Sequence, residues 1–314
     1  MPDGLIVGEG LSCGTVLSGN DRQDVLEVAR RVEEAGFDSI WVGDHISFYI
    51  PILESLTALA FVAGVTERVR LCTGVYLMPL RNPTVIAKVT STLDVLSGGR
   101  LTLGVGVGGE FPPEFEACAV PVAERGSRTD EGIEILRRLW TEEAVEHRGD
   151  HFDFGPVTLA PRPIQEGGPP IIVGGRKAPS MRRAGKLGDG YISHMCSADQ
   201  YSANMDTIRL HAREAGRKSV PFETTAFLFS VLDDVYEDAL DRAAGMLQTI
   251  YNRPFRDAAR KYCLLGRAED WLEQMESFAR AGARHFVFSL LSDRDAFFEA
   301  WSEKIQPGLG QIDY

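Results

Sequence analysis

Cysteine is scarce and unpatterned in this chain. Cys13, Cys72, Cys118, Cys196 and Cys263 are scattered over 314 residues, odd in number and without a C-x-x-C pair. That excludes a disulfide frame and a ribbon-type zinc site, and reads as reduced thiols in the cytoplasm. No apolar run approaches the ~20 residues of a membrane span, and the amino terminus lacks a charged-then-apolar export signal. Basic residues are outnumbered, with 33 Lys and Arg against 45 Asp and Glu and a net charge of −12. Nucleic acid and anionic membranes are therefore disfavoured as partners, and an anionic ligand would need a local basic patch. Low-complexity segments, linkers and short repeats are also missing, so residues 1–314 read as one domain. What is there is 44% hydrophobic, ample for a large core.

Apolar runs and helical stripes alternate along the chain. Short β-branched runs at 5–8, 38–43, 69–75, 101–107, 169–175, 190–193, 224–232 and 284–290 read as strands. Amphipathic stretches between them read as helices, the first capped by Asn20 with Gln23 three residues on. Aromatic and β-branched residues around Gly149-Asp150 and Gly155-Pro156 make 144–163 a hairpin excursion, and 235–263 is a helical segment longer than one unit needs. Eight strands alternating with helices predict an α/β fold of the (β/α)8 TIM-barrel type; a doubly wound sheet is the alternative.

The stretch from Gly98 to Glu110 stands at the centre of that pattern. Its strand ends in Gly104, Gly106, Gly108 and Gly109, which would leave bare backbone against which a flat ligand can lie. Gly104-x-Gly106-x-x-Gly109 also matches a dinucleotide fingerprint, but that motif must open directly into a helix. Pro112-Pro113 argues against one there. In a barrel, the strand ends would collect Asp44, His45, Gly74, Glu110, Gly174 and His194 on one rim, where ligands bind. Asp44-His45 with Glu110 across the mouth suits proton movement, against the plainer reading of a capping aspartate beside a half-exposed histidine. Gly174-Gly175-Arg176-Lys177 is a glycine turn feeding a basic helix start, suited to a phosphate or, more simply, to a solvated turn. His147 and His151 sit in the hairpin rather than on a helix, which points away from a metal site.

These residues resemble the luciferase-like flavin and deazaflavin oxidoreductases. The similarity lies in Ala35-Gly36-Phe37-Asp38-Ser39-Ile40-Trp41-Val42-Gly43-Asp44-His45, Leu80-Arg81-Asn82-Pro83, Thr92 to Arg100, Glu124-Arg125-Gly126, Pro161-Arg162-Pro163, Val173-Gly174-Gly175 and Leu187-Gly188-Asp189-Gly190. It runs from about Leu5 to Ile305, with the blocks in family order, and looks closest to coenzyme F420-dependent members. The resemblance implies a barrel binding coenzyme F420, or alternatively FMN, at its carboxyl rim to transfer hydride or activate oxygen on a small organic substrate. It implies that a bulge at Gly74-Val75, with a cis peptide, backs the ring. It also implies that His45 and Glu110 are catalytic, and that Asp44, Gly108, Gly174, Gly175 and Arg176 contact the cofactor. A homodimer is the expected assembly, and the FMN reading would require a flavin reductase to supply reduced FMN. A non-catalytic flavin-binding relative is the other class left open. The chain departs from the sugar-phosphate dehydrogenase branch, with Tyr49 where that branch has tryptophan and Pro112 where it has asparagine. Both departures argue against glucose 6-phosphate.

Overall fold

The computed structural model describes residues 4–314. Eight parallel strands form the barrel: β1 (Ser12–Val16), β2 (Ser39–Val42), β3 (Arg70–Thr73), β4 (Leu101–Gly106), β5 (Ile171–Gly174), β6 (Gly190–Ile192), β7 (Glu223–Leu232) and β8 (His285–Leu290). Each pairs with the next, and β8 pairs back onto β1 with Phe286 opposite Cys13, so the sheet closes. Every residue of β2 and β4 is buried, which a strand covered by helices on one side and a filled lumen on the other requires. The expected (β/α)8 barrel is the observed fold, with the antiparallel hairpin Val145–Arg148 and Asp153–Val157 as its excursion.

The amino-terminal reading needs correction. Leu5–Ile6 is a strand, but it pairs with Val220–Pro221 outside the barrel, and the first barrel strand is Ser12–Val16. That strand is poor in apolar residues because its neighbours fill the lumen for it. A Cβ at Gly14 would stand 2.9 Å from the Trp41 indole nitrogen, and Thr15 donates its hydroxyl to the Phe288 carbonyl at 3.0 Å. The cap of the first helix (Arg22–Glu34) is Asp21, whose carboxylate accepts from the amides of Gln23 and Asp24, rather than Asn20.

The barrel's amino end is closed by polar groups that satisfy one another. His285 bonds Ser12 Oγ through Nδ1 at 2.6 Å and Ser39 Oγ through Nε2 at 2.7 Å, and Ser39 accepts from Trp41. Arg70 pairs with Glu223 at 2.6 Å beside them. Burial pushes the His285 imidazole down to about 4, so it is neutral near pH 7. Between β7 and β8 the helices Tyr236–Tyr251 and Arg256–Tyr262 build an apolar cluster of their own, with Phe229, Leu240, Leu247 and Phe255. That cluster holds Tyr251 against Phe255, stacked at 5.0 Å.

Candidate active site

The carboxyl end of β3 turns inward as a bulge, and the Gly74–Val75 peptide there is cis. Gly74 must be small because a Cβ would approach the Trp41 ring to 3.0 Å. The bulge also changes what the rim glycines do. The space beside Gly174 is filled by Val75 Cγ1, 2.6 Å from where a Cβ would stand. Gly106 gives room to Val75 Cγ2 in the same way, and Gly104 to the Thr73 carbonyl. The glycines were expected to lie bare beneath a ligand; instead they seat the bulge, and Val75 is the surface above them. Gly108, at φ 59°, backs onto Leu77 and Phe115, and a Cβ there would meet those side chains at 3.2–3.3 Å.

Asp44 is buried at the end of β2 with its acceptor positions filled. It takes hydrogen bonds from Ser55 Oγ (3.2 Å), the Leu77 amide (2.9 Å) and Arg81 Nη2 (2.8 Å), and a short one from Arg81 Nη1. Where the resemblance places a cofactor contact at Asp44, the structure makes it a bracket between β2 and the segment after the bulge. Arg81, in turn, lies over the Tyr76 ring at 4.3 Å.

His45, one residue on, faces the mouth. Its Nδ1 lies 3.1 Å and 3.2 Å from the two oxygens of Glu114, and the Ile46 amide donates to the same carboxylate at 3.1 Å. Glu114 is fully buried. A carboxylate only accepts, so it holds the proton on Nδ1 and leaves Nε2 free to exchange one. The Phe48 ring stacks on the imidazole at 4.0 Å.

Glu114 was missed in the sequence. It lies on a helix, Pro112–Ala117, that Pro112-Pro113 was read as arguing against. Proline at the first helical positions lacks only an amide that has no partner there, so it starts a helix as readily as it breaks one. Glu114 then falls in the first turn, where a carboxylate is favoured.

Glu110 does not pair with His45. It reaches across the mouth to Arg176, Oε1 to Nη2 3.7 Å, and both side chains are exposed. Gly175 has φ 142°, and a Cβ there would press on Ser180 at the start of the helix Ala178–Leu187. No side chain caps that helix; Pro179 has no amide and the Ser180 amide bonds the Lys177 carbonyl at 2.8 Å, which leaves the Ala178 amide uncapped two residues after Arg176. His194 follows β6 and sits among Phe227 (6.1 Å), Phe229 (5.8 Å) and Tyr251 (6.3 Å). Burial lowers its pKa; Glu110 opposes the shift, and Arg176 and Arg253 add to it.

A parallel barrel with a carboxylate-held histidine, a bulge floor and an arginine before a helix start on one rim has the layout of a barrel enzyme. The chain belongs to the luciferase-like monooxygenase family, whose description it matches over residues 4–300. It is 28% identical to the F420-dependent glucose-6-phosphate dehydrogenase of Amycolatopsis mediterranei (strain U-32), over 91% of this chain and 94% of that one. An F420-dependent secondary alcohol dehydrogenase, solved with an F420-acetone adduct, superposes with a TM-score of 0.86 at 23% identity, over 96% of this chain and 99% of that one. The monooxygenase RslO1 from Streptomyces bottropensis superposes with a TM-score of 0.79 at 25% identity, over 96% and 98%.

Proposed function

We propose that the protein is an oxidoreductase that uses coenzyme F420 at this rim to exchange hydride with a small organic substrate. The observation that carries this reading is buried Glu114 fixing the tautomer of His45 beside the Gly74-Val75 bulge. The F420-dependent relative, similar over nine-tenths of the chain, favours the deazaflavin over FMN. Val75 would back the ring, while Arg176 and the amides after Gly175 would hold the phosphate. When bound, the deazaflavin supplies hydride exchange. His45 Nε2 is the open nitrogen through which a proton would be given or taken at the mouth, and Glu114 holds the imidazole in place. Glu110, held to Arg176 at the opposite lip, keeps a second carboxylate at the mouth.

FMN with a separate reductase supplying it reduced is the alternative, favoured by the resemblance of the fold to a monooxygenase. Titration of the purified protein with F420 and with FMN, followed by cofactor absorbance, tests the reading. Tight F420 binding with weak FMN binding is expected; the reverse order overturns it, and binding of neither removes the cofactor role altogether. A homodimer is the assembly we read for the protein. On the helix Pro83–Ser97, Val85, Val89 and Leu96 are exposed and Lys88 is the one exposed charge, a stripe that a second copy would cover. Sedimentation reads that directly.

A further inference from the structure

The geometry points to a substrate class: an apolar ketone or secondary alcohol carrying an aryl group, with its oxygen held between His194 and the Tyr251 hydroxyl. This rests on the oxidoreductase reading above and narrows it. The two imidazoles of the rim are joined by a chain of rings. Phe48 stacks on His45 at 4.0 Å, Phe48 meets Tyr251 edge-on at 6.0 Å, and Tyr251 meets His194 at 6.3 Å. Phe111 extends the wall, edge-on to Phe48 at 6.0 Å and to Tyr49 at 4.9 Å. A molecule reaching from His45 toward His194 therefore passes over ring faces and edges, which favour a flat apolar body.

The polar groups of that passage are few. Among the described residues, neither the His194 ring nitrogens nor the Tyr251 hydroxyl has a hydrogen-bond partner, whereas His147, His151, His211 and His285 all do. These two polar tips, on half-buried rings whose centroids lie 6.3 Å apart, can both donate to one oxygen placed between them. Burial keeps His194 neutral near pH 7, so the pair suits an uncharged oxygen rather than a phosphate. Of the cations nearby, Arg176 is assigned above to the cofactor phosphate, and Arg253 lies over the Phe255 ring at 5.0 Å. A hydroxyl-rich sugar would leave most of its groups unpaired against these walls, a strong basis for rejection.

The test is binding of acetophenone, ethylbenzene and glucose 6-phosphate to the full-length protein, by saturation-transfer NMR and calorimetry, with and without F420. Acetophenone should bind in at least one arm, and glucose 6-phosphate at least tenfold more weakly. Tyr251→Phe keeps the ring and should weaken acetophenone about tenfold while leaving ethylbenzene, which lacks the oxygen, unchanged; His194→Phe should do the same. Phe48→Ala should weaken both aryl probes. Loss of ethylbenzene and acetophenone together in Tyr251→Phe would mean a merely structural tyrosine and overturn the assignment. So would preferential binding of glucose 6-phosphate, or no acetophenone binding in either arm. The cofactor titration separates the two readings. If F420 binds and acetophenone does not, only the substrate class fails. If acetophenone binds as described and no cofactor does, the substrate class stands and the oxidoreductase reading falls.

Discussion

Alanine at Gly174 would place a methyl 2.6 Å from Val75 Cγ1, about 1 Å inside an ordinary carbon–carbon contact. At Gly106 the approach to Val75 Cγ2 is closer still, and neither glycine has a positive φ, so the obstacle at both positions is steric. Overpacking of this kind costs about 1–3 kcal/mol, and here the yielding part is the bulge itself. Val75→Ala removes both offending methyls at once. The nearest neighbours of a methyl at 174 are then Ile192 Cγ2 at 3.4 Å and the Val105 carbonyl at 3.5 Å, and at 106 the Val75 Cβ at 3.3 Å. Gly174→Ala and Gly106→Ala should therefore each lower the melting temperature and weaken F420 binding. A floor displaced by about 1 Å lowers turnover by up to about 100-fold. Val75→Ala alone should cost about 1 kcal/mol for half-buried methyls, and each double mutant should recover most of the loss, a coupling of about 1–3 kcal/mol. Melting curves and cofactor titrations on the five variants measure this. Additivity within about 0.5 kcal/mol would refute the seating of the bulge by the two glycines.

Glu114→Gln should lower turnover by the 10–100-fold typical of carboxylates that orient a functional histidine, and shift the pH–rate profile, with little change in cofactor affinity. An unchanged profile would remove Glu114 from the proton path. Arg176→Gln is a cleaner probe of the phosphate site than a change at Gly175, where any side chain would press on Ser180. Loss of one charge-assisted bond of about 1.5–3 kcal/mol predicts a 10–100-fold weaker cofactor, and wild-type affinity would put the phosphate elsewhere. His285 is expected to contribute to the pH dependence of stability. Folded at about 4 and unfolded at about 6.5, it leaves the unfolded chain binding the extra proton between those values, so stability falls as pH drops through that window. From pH 7 to pH 5 the loss is about 2 kcal/mol from this group, and His285→Gln should flatten the melting-temperature slope there. An unaltered slope would mean that another group titrates.

The barrel was legible because its evidence is repeated: seven of the eight strands carry apolar runs, and each is followed by a helical stripe. The eighth, Ser12–Val16, was hidden because its centre, Gly14, is pressed by Ser39 and Trp41 of the next strand, which leaves no apolar run to read. His45 and Arg176 were legible as rim residues because strand ends fix them. Glu110 was legible in the same way, but its pairing with Arg176 and that of Glu114 with His45 were not, since an ion pair between distant segments leaves no spacing in the sequence. Asp44 read as a ligand contact because nothing local marks Arg81 and Leu77, 37 and 33 residues away, as its partners. Glu114 was lost to a rule applied in one direction, proline as a breaker, when its position in the chain made it a starter.

The rim divides along the chain. Asp44, His45, the bulge, Arg81, Glu110 and Glu114 all come from the first four strands and their loops, whereas Gly175, Arg176, His194 and Tyr251 come from the last four. Val75 against Gly174, and Glu110 with Arg176, join the two halves across the mouth. The first half carries the groups assigned above to proton movement, and the second those proposed to grip what is bound. Such a chain is suited to change by exchange of halves: a carboxyl-terminal half borrowed from a relative, if it keeps glycine at 174 and arginine at 176, would bring a new substrate preference to an unaltered proton apparatus. The hydrophobic seat of a single valine thereby sets which halves are compatible.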